Sequence, residues 1–263
     1  MLDPSWRFSA FRERLAQLPP GWFERPALCN AAFRLCRCGP LEAFYAPLDW
    51  VNRGARLVLL GAAPGWHEME TAFRIVRAGL AAPDNDLAVL RRARLAARPP
   101  STQRQRVLWL LRAAEAGMPA LGGAPVTALF EQESALVHWT WVARFPVFVR
   151  GRNYSGRDPS ILLSPLMRAF VTDALAGELA AIPEALVVPI GAPAADALWL
   201  LVQTGMLERD RLGPPLPDPT QWTGEQLRRW VSLPPGAARS GCSSQKNLLQ
   251  GLTRPPRGSS EWT

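Results

Sequence analysis

Gly61-Ala62-Ala63-Pro64-Gly65-Trp66-His67-Glu68 is the stretch of this chain where residue type and spacing most plainly allow chemistry. Two glycines let a backbone turn tightly and approach a ligand closely. His67 and Glu68 follow at once, a titratable pair able to position a water or bind a polar ligand edge. A plain reading stands beside this one. Both side chains fit the exposed first turn of a helix, where the dipole alone favours a glutamate. His138, within Val137-His138-Trp139-Thr140-Trp141, is the second histidine of the chain, and reads either as a pocket residue or as a satisfied core histidine. Conventional inventories are otherwise empty. No nucleophile elbow, Walker loop or dinucleotide fingerprint occurs, and no carboxylate–histidine cluster has metal-ligand spacing.

Elements must hold these residues in place. Leu57 to Leu60 is an apolar run without alternation, as in a strand buried on both faces of a parallel sheet. Met69, Ala72, Phe73, Val76 and Leu80 recur at helical spacing after the glycine turn. Strand, loop and helix make half of a βαβ unit, with the loop at the strand's carboxyl end, where open α/β sheets bind ligands. Further strands are expected at 135–142, 185–190 and 229–233. Pro189 argues for a strand end or an edge. Helices are expected at 8–18, at 85–98 behind an Asp84 or Asn85 cap, from Ser101 or Thr102 to Ala114, from Ala195 to Val202, and at 245–252. Four strands alternating with helices imply a three-layer α/β/α domain on a four-stranded parallel sheet. The expected organisation is an N-terminal extension (1–50) packed on the core, the main domain (51–252) and a disordered tail (253–263). Residues 145–159 read as a long irregular loop of aromatics, Arg, Asn and Gly, a composition suited to stacking on bases beside phosphate contacts.

The chain has 263 residues, 48% apolar, with 30 basic against 22 acidic side chains and a net charge of +8. Lys246 is the single lysine, so the excess is arginine, whose fork suits phosphate. Genome base composition accounts for an arginine preference but not for the net charge. Arg91, Arg92, Arg94, Arg98, Arg104 and Arg106 read either as solvated helix faces or as a DNA track. Cys29, Cys36 and Cys38 have a spacing that fits no zinc or iron–sulfur pattern. With Cys242 they are expected to be thiols in a reducing cytoplasm, holding no metal. No stretch reaches the roughly 20 apolar residues of a membrane span, and the N-terminus lacks an apolar signal core. A cytoplasmic monomer without membrane contact is the expectation.

From about Tyr45 to Thr204 the chain resembles the uracil-DNA glycosylase superfamily, in particular a bacterial branch of it. Four landmarks come in order: Tyr45-Ala46-Pro47-Leu48-Asp49-Trp50-Val51-Asn52, then Leu59 to Trp66 as a Gly-x-x-Pro-Gly first motif, then Arg144 to Gly156, then Leu186 to Gly191. The resemblance implies a flipped base, read at its Watson–Crick edge and stacked on a ring, and hydrolysis of its N-glycosidic bond without a cofactor. It implies DNA as partner. It points to Gly61, Ala62, Ala63, Pro64, Gly65 and Trp66 around the base, with Phe73 as the stacking ring or as plain core. His138, Thr140, Asn153, Tyr154, Arg157 and Gly236 complete the expected base- and DNA-binding set, and His67 and Glu68 the catalytic pair. Two departures are visible. Active relatives often carry Asn, Asp or Glu where Ala62 and Ala63 stand. A late His-Pro-Ser segment, whose His supports the leaving base, reads Leu233-Pro234-Pro235-Gly236-Ala237-Ala238. Losing one such group commonly costs roughly 10²–10³ in rate. Three functions therefore stand: a DNA glycosylase, a DNA- or base-binding member that has lost catalysis, and an unrelated nucleotide- or metabolite-binding α/β protein.

Overall fold

The computed structural model describes residues 6–82, 85–114 and 125–232. Its centre is β3 (Leu57–Gly61), paired in parallel with β4 (Val137–Trp141) on one side and β7 (Leu186–Pro189) on the other. Residues Leu57 to Leu60 are all fully buried, and the pleat sends them alternately to opposite faces. Val58 and Leu60 join one core with α3 (Trp66–Gly79) and α4 (Asp86–Ala96). Leu57 and Leu59 join a second core with α5 (Ser101–Ala114), α6 (Val126–Glu131) and α11 (Gly224–Val231). Helices thus cover both faces of the sheet. The Asn85 side chain caps α4 by accepting from the Ala88 N–H at 2.7 Å. A short α7 (Glu133–Leu136) leads into β4.

The parallel sheet has three strands, not four. Of the strand expected at 229–233, Leu233 lies outside the described residues, and residues 229–231 are helical instead, as part of Gly224–Val231. Thr223 and Gln226 form a reciprocal cap at its start, and Leu227 and Trp230, three apart, pack on α5. The edge beside β7 is taken instead by residues 212–216. They run parallel to β7 through two isolated bridges, Val187 to Leu212 and Ile190 to Leu216. Pro214 and Pro215 lie between the bridges and offer no N–H, so no continuous ladder forms.

A second, antiparallel sheet was not foreseen. It joins β1 (Arg34–Cys38) and β2 (Leu41–Phe44) to β5 (Val147–Val149) and β6 (Arg152–Asn153), within the stretch read as a loop. N-terminal helix α1 (Phe8–Gln17) and the short α2 (Arg25–Leu28) pack into the same core as α3. Phe11 stacks on Tyr45 at 3.9 Å between ring centroids. A single helical rod follows β6, made of α8 (Pro165–Ala169), one π-helical turn (Phe170–Leu175) and α9 (Ala176–Ala180). After β7 comes α10 (Ala192–Gln203). Among the described residues no helix is long and apolar enough to cross a membrane. The expected helix at 245–252, the tail from 253, Cys242 and Gly236 lie outside the described residues.

Candidate functional site

Strand β3 comes first in the parallel sheet and lies in its middle, so the chain leaves it in both directions. Its carboxyl end is the switch point at which such sheets open a ligand crevice. The Gly61–Gly65 loop occupies that point, with Pro64 and Gly65 buried and Ala62 and Ala63 half-buried. Strand β4 continues alongside it, the Val142 and Ala143 N–H groups donating to the Gly61 and Ala62 carbonyls.

One other segment packs on this loop, and another packs on the adjoining end of β7. From the 150–157 segment, Asn153 Oδ1 accepts from the Trp66 N–H at 3.1 Å. Gly65 is required there, since a methyl would meet Asn153 Nδ2 at 2.6 Å. Gly156 sits at φ +83° against Ala62 and Pro193, where an added Cβ would approach the Pro193 ring at 2.5 Å. From beyond β7, the turn after the 212–216 edge brings Asp218 against Gly191, whose N–H donates to the Leu216 carbonyl at 2.8 Å. Asp218 Oδ1 accepts from Thr220 N–H and O–H, and Oδ2 from the Gln221 amide.

The sequence-predicted residues divide into two groups. Gly61 to Trp66, Asn153, Tyr154 and the exposed Arg157 lie around the converging loops. His67 is exposed on the first turn of α3. Glu68 is engaged: its Oε2 accepts from the Gly65 N–H at 2.8 Å, capping the helix. The Tyr154 hydroxyl donates to the Pro159 carbonyl, and burial pushes the phenol up from its ordinary value.

Phe73, His138 and Thr140 lie elsewhere. Phe73 is fully buried, edge-on to Phe23 and Phe33, with no open ring face. His138 and Thr140 point into the core, where Glu178 Oε1 takes both, His138 Nε2 at 2.7 Å and the Thr140 hydroxyl at 2.6 Å. Arg94 donates to the same oxygen at 3.0 Å, to Thr140, and to the carbonyls of Trp139 and Leu48. Burial pushes the Glu178 carboxyl up, but Arg94 and His138 outweigh it and hold it well below the carboxylate range. Burial, with Arg94 adding to it, lowers His138 despite its hydrogen bond to Glu178. The helix arginines read as a DNA track are largely spent internally. Arg94 is 2% exposed, Arg98 and Arg104 both pair with Glu133, and Arg106 reaches the Pro219 carbonyl. Cys29, Cys36 and Cys38 are free thiols, and burial pushes Cys29 up to about 11. Among the described residues no three metal-ligating side chains converge.

Sequence reasoning missed Arg25 and Asp218. The Arg25 guanidinium lies over the rings of Trp66 and Phe148, at 5.5 and 5.0 Å, and donates to the Gly151 carbonyl and Asn153 Oδ1. No local signal marks it, because its partners are remote in sequence. Asp218 was overlooked because no local signal marks it within Pro217-Asp218-Pro219, and its contact with Gly191 is visible only in the fold.

No family model matches the chain. It is 26% identical over 223 residues to the uncharacterized protein YoxB of Bacillus subtilis (strain 168), an alignment spanning 84% of this chain and 86% of that protein. No solved structure matches it.

Proposed function

We propose that this chain is a uracil-DNA glycosylase-like protein that takes an extruded, deaminated or damaged base at the carboxyl end of its parallel sheet and hydrolyses the N-glycosidic bond. One observation carries the reading: two segments remote in sequence, 61–66 and 153–157, touch at the carboxyl end of β3, while 216–221 packs on Gly191 at the adjoining end of β7. The first two are the places where the resemblance puts its first motif and its most distinctive segment; its late segment, at 233–238, lies outside the described residues.

In hydrolysis a water oxygen bonds to the sugar C1′, the base leaves with the bonding electron pair, and the water's proton passes to a base or to solvent. His67 is the titratable side chain of the first motif left free for that proton, since Glu68 is occupied as a cap. A second reading, DNA or base binding without hydrolysis, rests on the same geometry. Ala62 and Ala63 offer only methyl groups, and the carboxylates of Glu68 and Asp218 are engaged by their own turns.

The test is a glycosylase assay on single- and double-stranded oligonucleotides carrying one uracil, with alkaline cleavage of abasic sites and binding read in parallel. The expected result is abasic product above the no-protein control, lost in His67→Ala. Salt-sensitive binding without product selects the second reading. Neither binding nor product overturns both and leaves a small-molecule ligand at Gly61–Gly65 as the function to seek.

A further inference from the structure

The chain's positive charge is distributed unevenly between paired and unpaired arginines. Arg12 pairs with Asp86, Arg34 and Arg37 with Glu42, Arg74 with Glu70, Arg98 and Arg104 with Glu133, and Arg144 with Asp49. Arg150, Arg152 and Arg157 differ. All three are exposed, they fall in one short stretch, and among the described residues none has a carboxylate within ion-pair reach.

Arg150 carries a second sign. Val149 pairs with Arg152 across a two-residue turn, Arg150-Gly151, with φ of +49° and +74°. Positive φ at both central positions defines the type I′ hairpin turn, whose first place ordinarily goes to Asn, Asp or Gly. Arg150 is the one positive-φ residue other than glycine among the described residues. A long side chain there is sterically disfavoured.

The hairpin is also braced. Phe148 and Asn153 face each other across the ladder, and Arg25 lies over the Phe148 ring while donating to Gly151 O and Asn153 Oδ1. Asn153 in turn holds the first turn of α3. Arg150 and Arg152 therefore stand on a hairpin fixed to the Gly61–Gly65 loop, and Arg157 follows it, next to Gly156 packed on Ala62.

Resting on the function proposed above, we infer that the β5–β6 hairpin is a phosphate clamp. Arg150, Arg152 and Arg157 bind the DNA backbone next to the nucleotide taken at the loop, without reading sequence. Arginine forks match phosphate oxygens, and the brace lowers the entropy of ordering the hairpin on binding.

The experiment measures affinity of the full chain, by fluorescence anisotropy over a salt series, for a uracil-containing duplex and its uracil-free counterpart. The proteins are the wild type, Arg150→Gly, the triple variant Arg150→Ala/Arg152→Ala/Arg157→Ala, and Arg112→Ala on the exposed side of α5 as a charge-matched control. Each phosphate contact removed lowers the slope of log K against log salt by roughly 0.9 for duplex DNA. The triple variant is therefore expected to lose about two to three from the slope and to bind both duplexes more weakly by the same factor. Arg150→Gly, which relieves the turn, is expected to lose about one while unfolding no earlier than the wild type. Arg112→Ala is expected to keep the wild-type slope. Wild-type binding that all variants retain, with slopes unchanged, overturns the clamp and leaves the proposed function standing. Absence of salt-sensitive binding by the wild type overturns both.

Discussion

Two clusters of arginine in this molecule have opposite fates. Around Arg94, three segments contribute groups that saturate one another: Glu178 from α9, His138 and Thr140 from β4, and the Leu48 carbonyl. Both side chains of the central ion pair are almost wholly buried, at 3% and 1% exposure. Around the Gly61–Gly65 loop, cations stand in solvent without carboxylate partners. A buried charge survives only if its desolvation is repaid by partners of good geometry, so the first cluster is committed to the fold. An exposed, unpaired arginine contributes little to the fold and stays available for an anionic ligand. Net charge alone did not separate the two uses; position in the fold does.

The largest effect is expected at the closed cluster. Glu178→Gln leaves the Arg94 charge buried without its counter-charge, a change that typically costs about 3–5 kcal/mol. At about 2–4 °C per kcal/mol for a chain of this size, the unfolding midpoint should fall by roughly 6–20 °C. Replacing Arg94 and Glu178 together by Leu should recover part of that loss, because no lone charge remains. Equal or additive losses in a double-mutant cycle would show that the pair is not coupled. DNA binding by the folded fraction of either variant should match the wild type.

Next comes Gly156→Ala, which forces a Cβ against Pro193 at φ +83°. Overpacking of this kind costs about 1–3 kcal/mol. Because it separates the 153–157 segment from Ala62, it should also weaken DNA binding, which Glu178→Gln should not. A Gly156→Ala protein that loses stability yet binds DNA as tightly as the wild type would detach this contact from the site.

The third effect is a slope. His138 is held neutral in the fold, its value lowered by burial first, while in the unfolded chain it takes a proton near pH 6.5. Below that pH the unfolded state binds more protons, so stability falls as pH drops from about 7 toward 5, by at most about 1.4 kcal/mol per pH unit. Glu178, whose folded value is depressed, contributes stability present above the ordinary carboxylate range, and it is lost only in stronger acid. Asp49 acts in the opposite direction, because burial raises it even against Arg144 and the Tyr45 hydroxyl bond. Urea unfolding at pH 5.5 and 7 should show the His138 slope, and His138→Asn should flatten it.

The closed and open regions were also unequally legible in the sequence. The β3–loop–α3 unit showed itself through local signals: an unbroken apolar run, a glycine turn and a helical repeat. His138 was visible only as a histidine in a strand, because its partners Glu178 and Arg94 are about 40 residues away on either side. The antiparallel sheet escaped notice for similar reasons. Its strand β1, Arg-Leu-Cys-Arg-Cys, is polar and half-exposed, β6 is two residues long, and Leu41–Ala43 pairs with Val147–Val149, far away in sequence. The misplaced fourth strand has a different cause. Trp230-Val231-Ser232-Leu233 is a short, mostly apolar stretch whose pattern does not separate strand from helix, whereas the real edge is disguised by Pro214 and Pro215. Asn153 was legible as part of an irregular loop, but its clasp on the Trp66 N–H was not.

The smallest expected effect on stability is the one that most sharpens the distinction between fold and site. Glu68 lies in the open region but behaves as a residue of the closed kind, since its carboxylate caps the helix that follows the first motif. Glutamine fills the third position of a capping box as glutamate does, because either side-chain oxygen accepts the N–H of the capping residue. Glu68→Gln should therefore unfold within about 0.5 kcal/mol of the wild type, the loss of one carboxylate near the helix dipole being a few tenths. Glu68→Ala should lose about 1 kcal/mol, as a missing cap does. If the cap is the whole role of Glu68, abasic-product formation and DNA affinity in Glu68→Gln will equal those of the wild type, while His67→Ala loses product. A Glu68→Gln protein that folds and binds normally yet makes no product would move Glu68 from the fold to the chemistry, with the carboxylate leaving Gly65 to meet the attacking water.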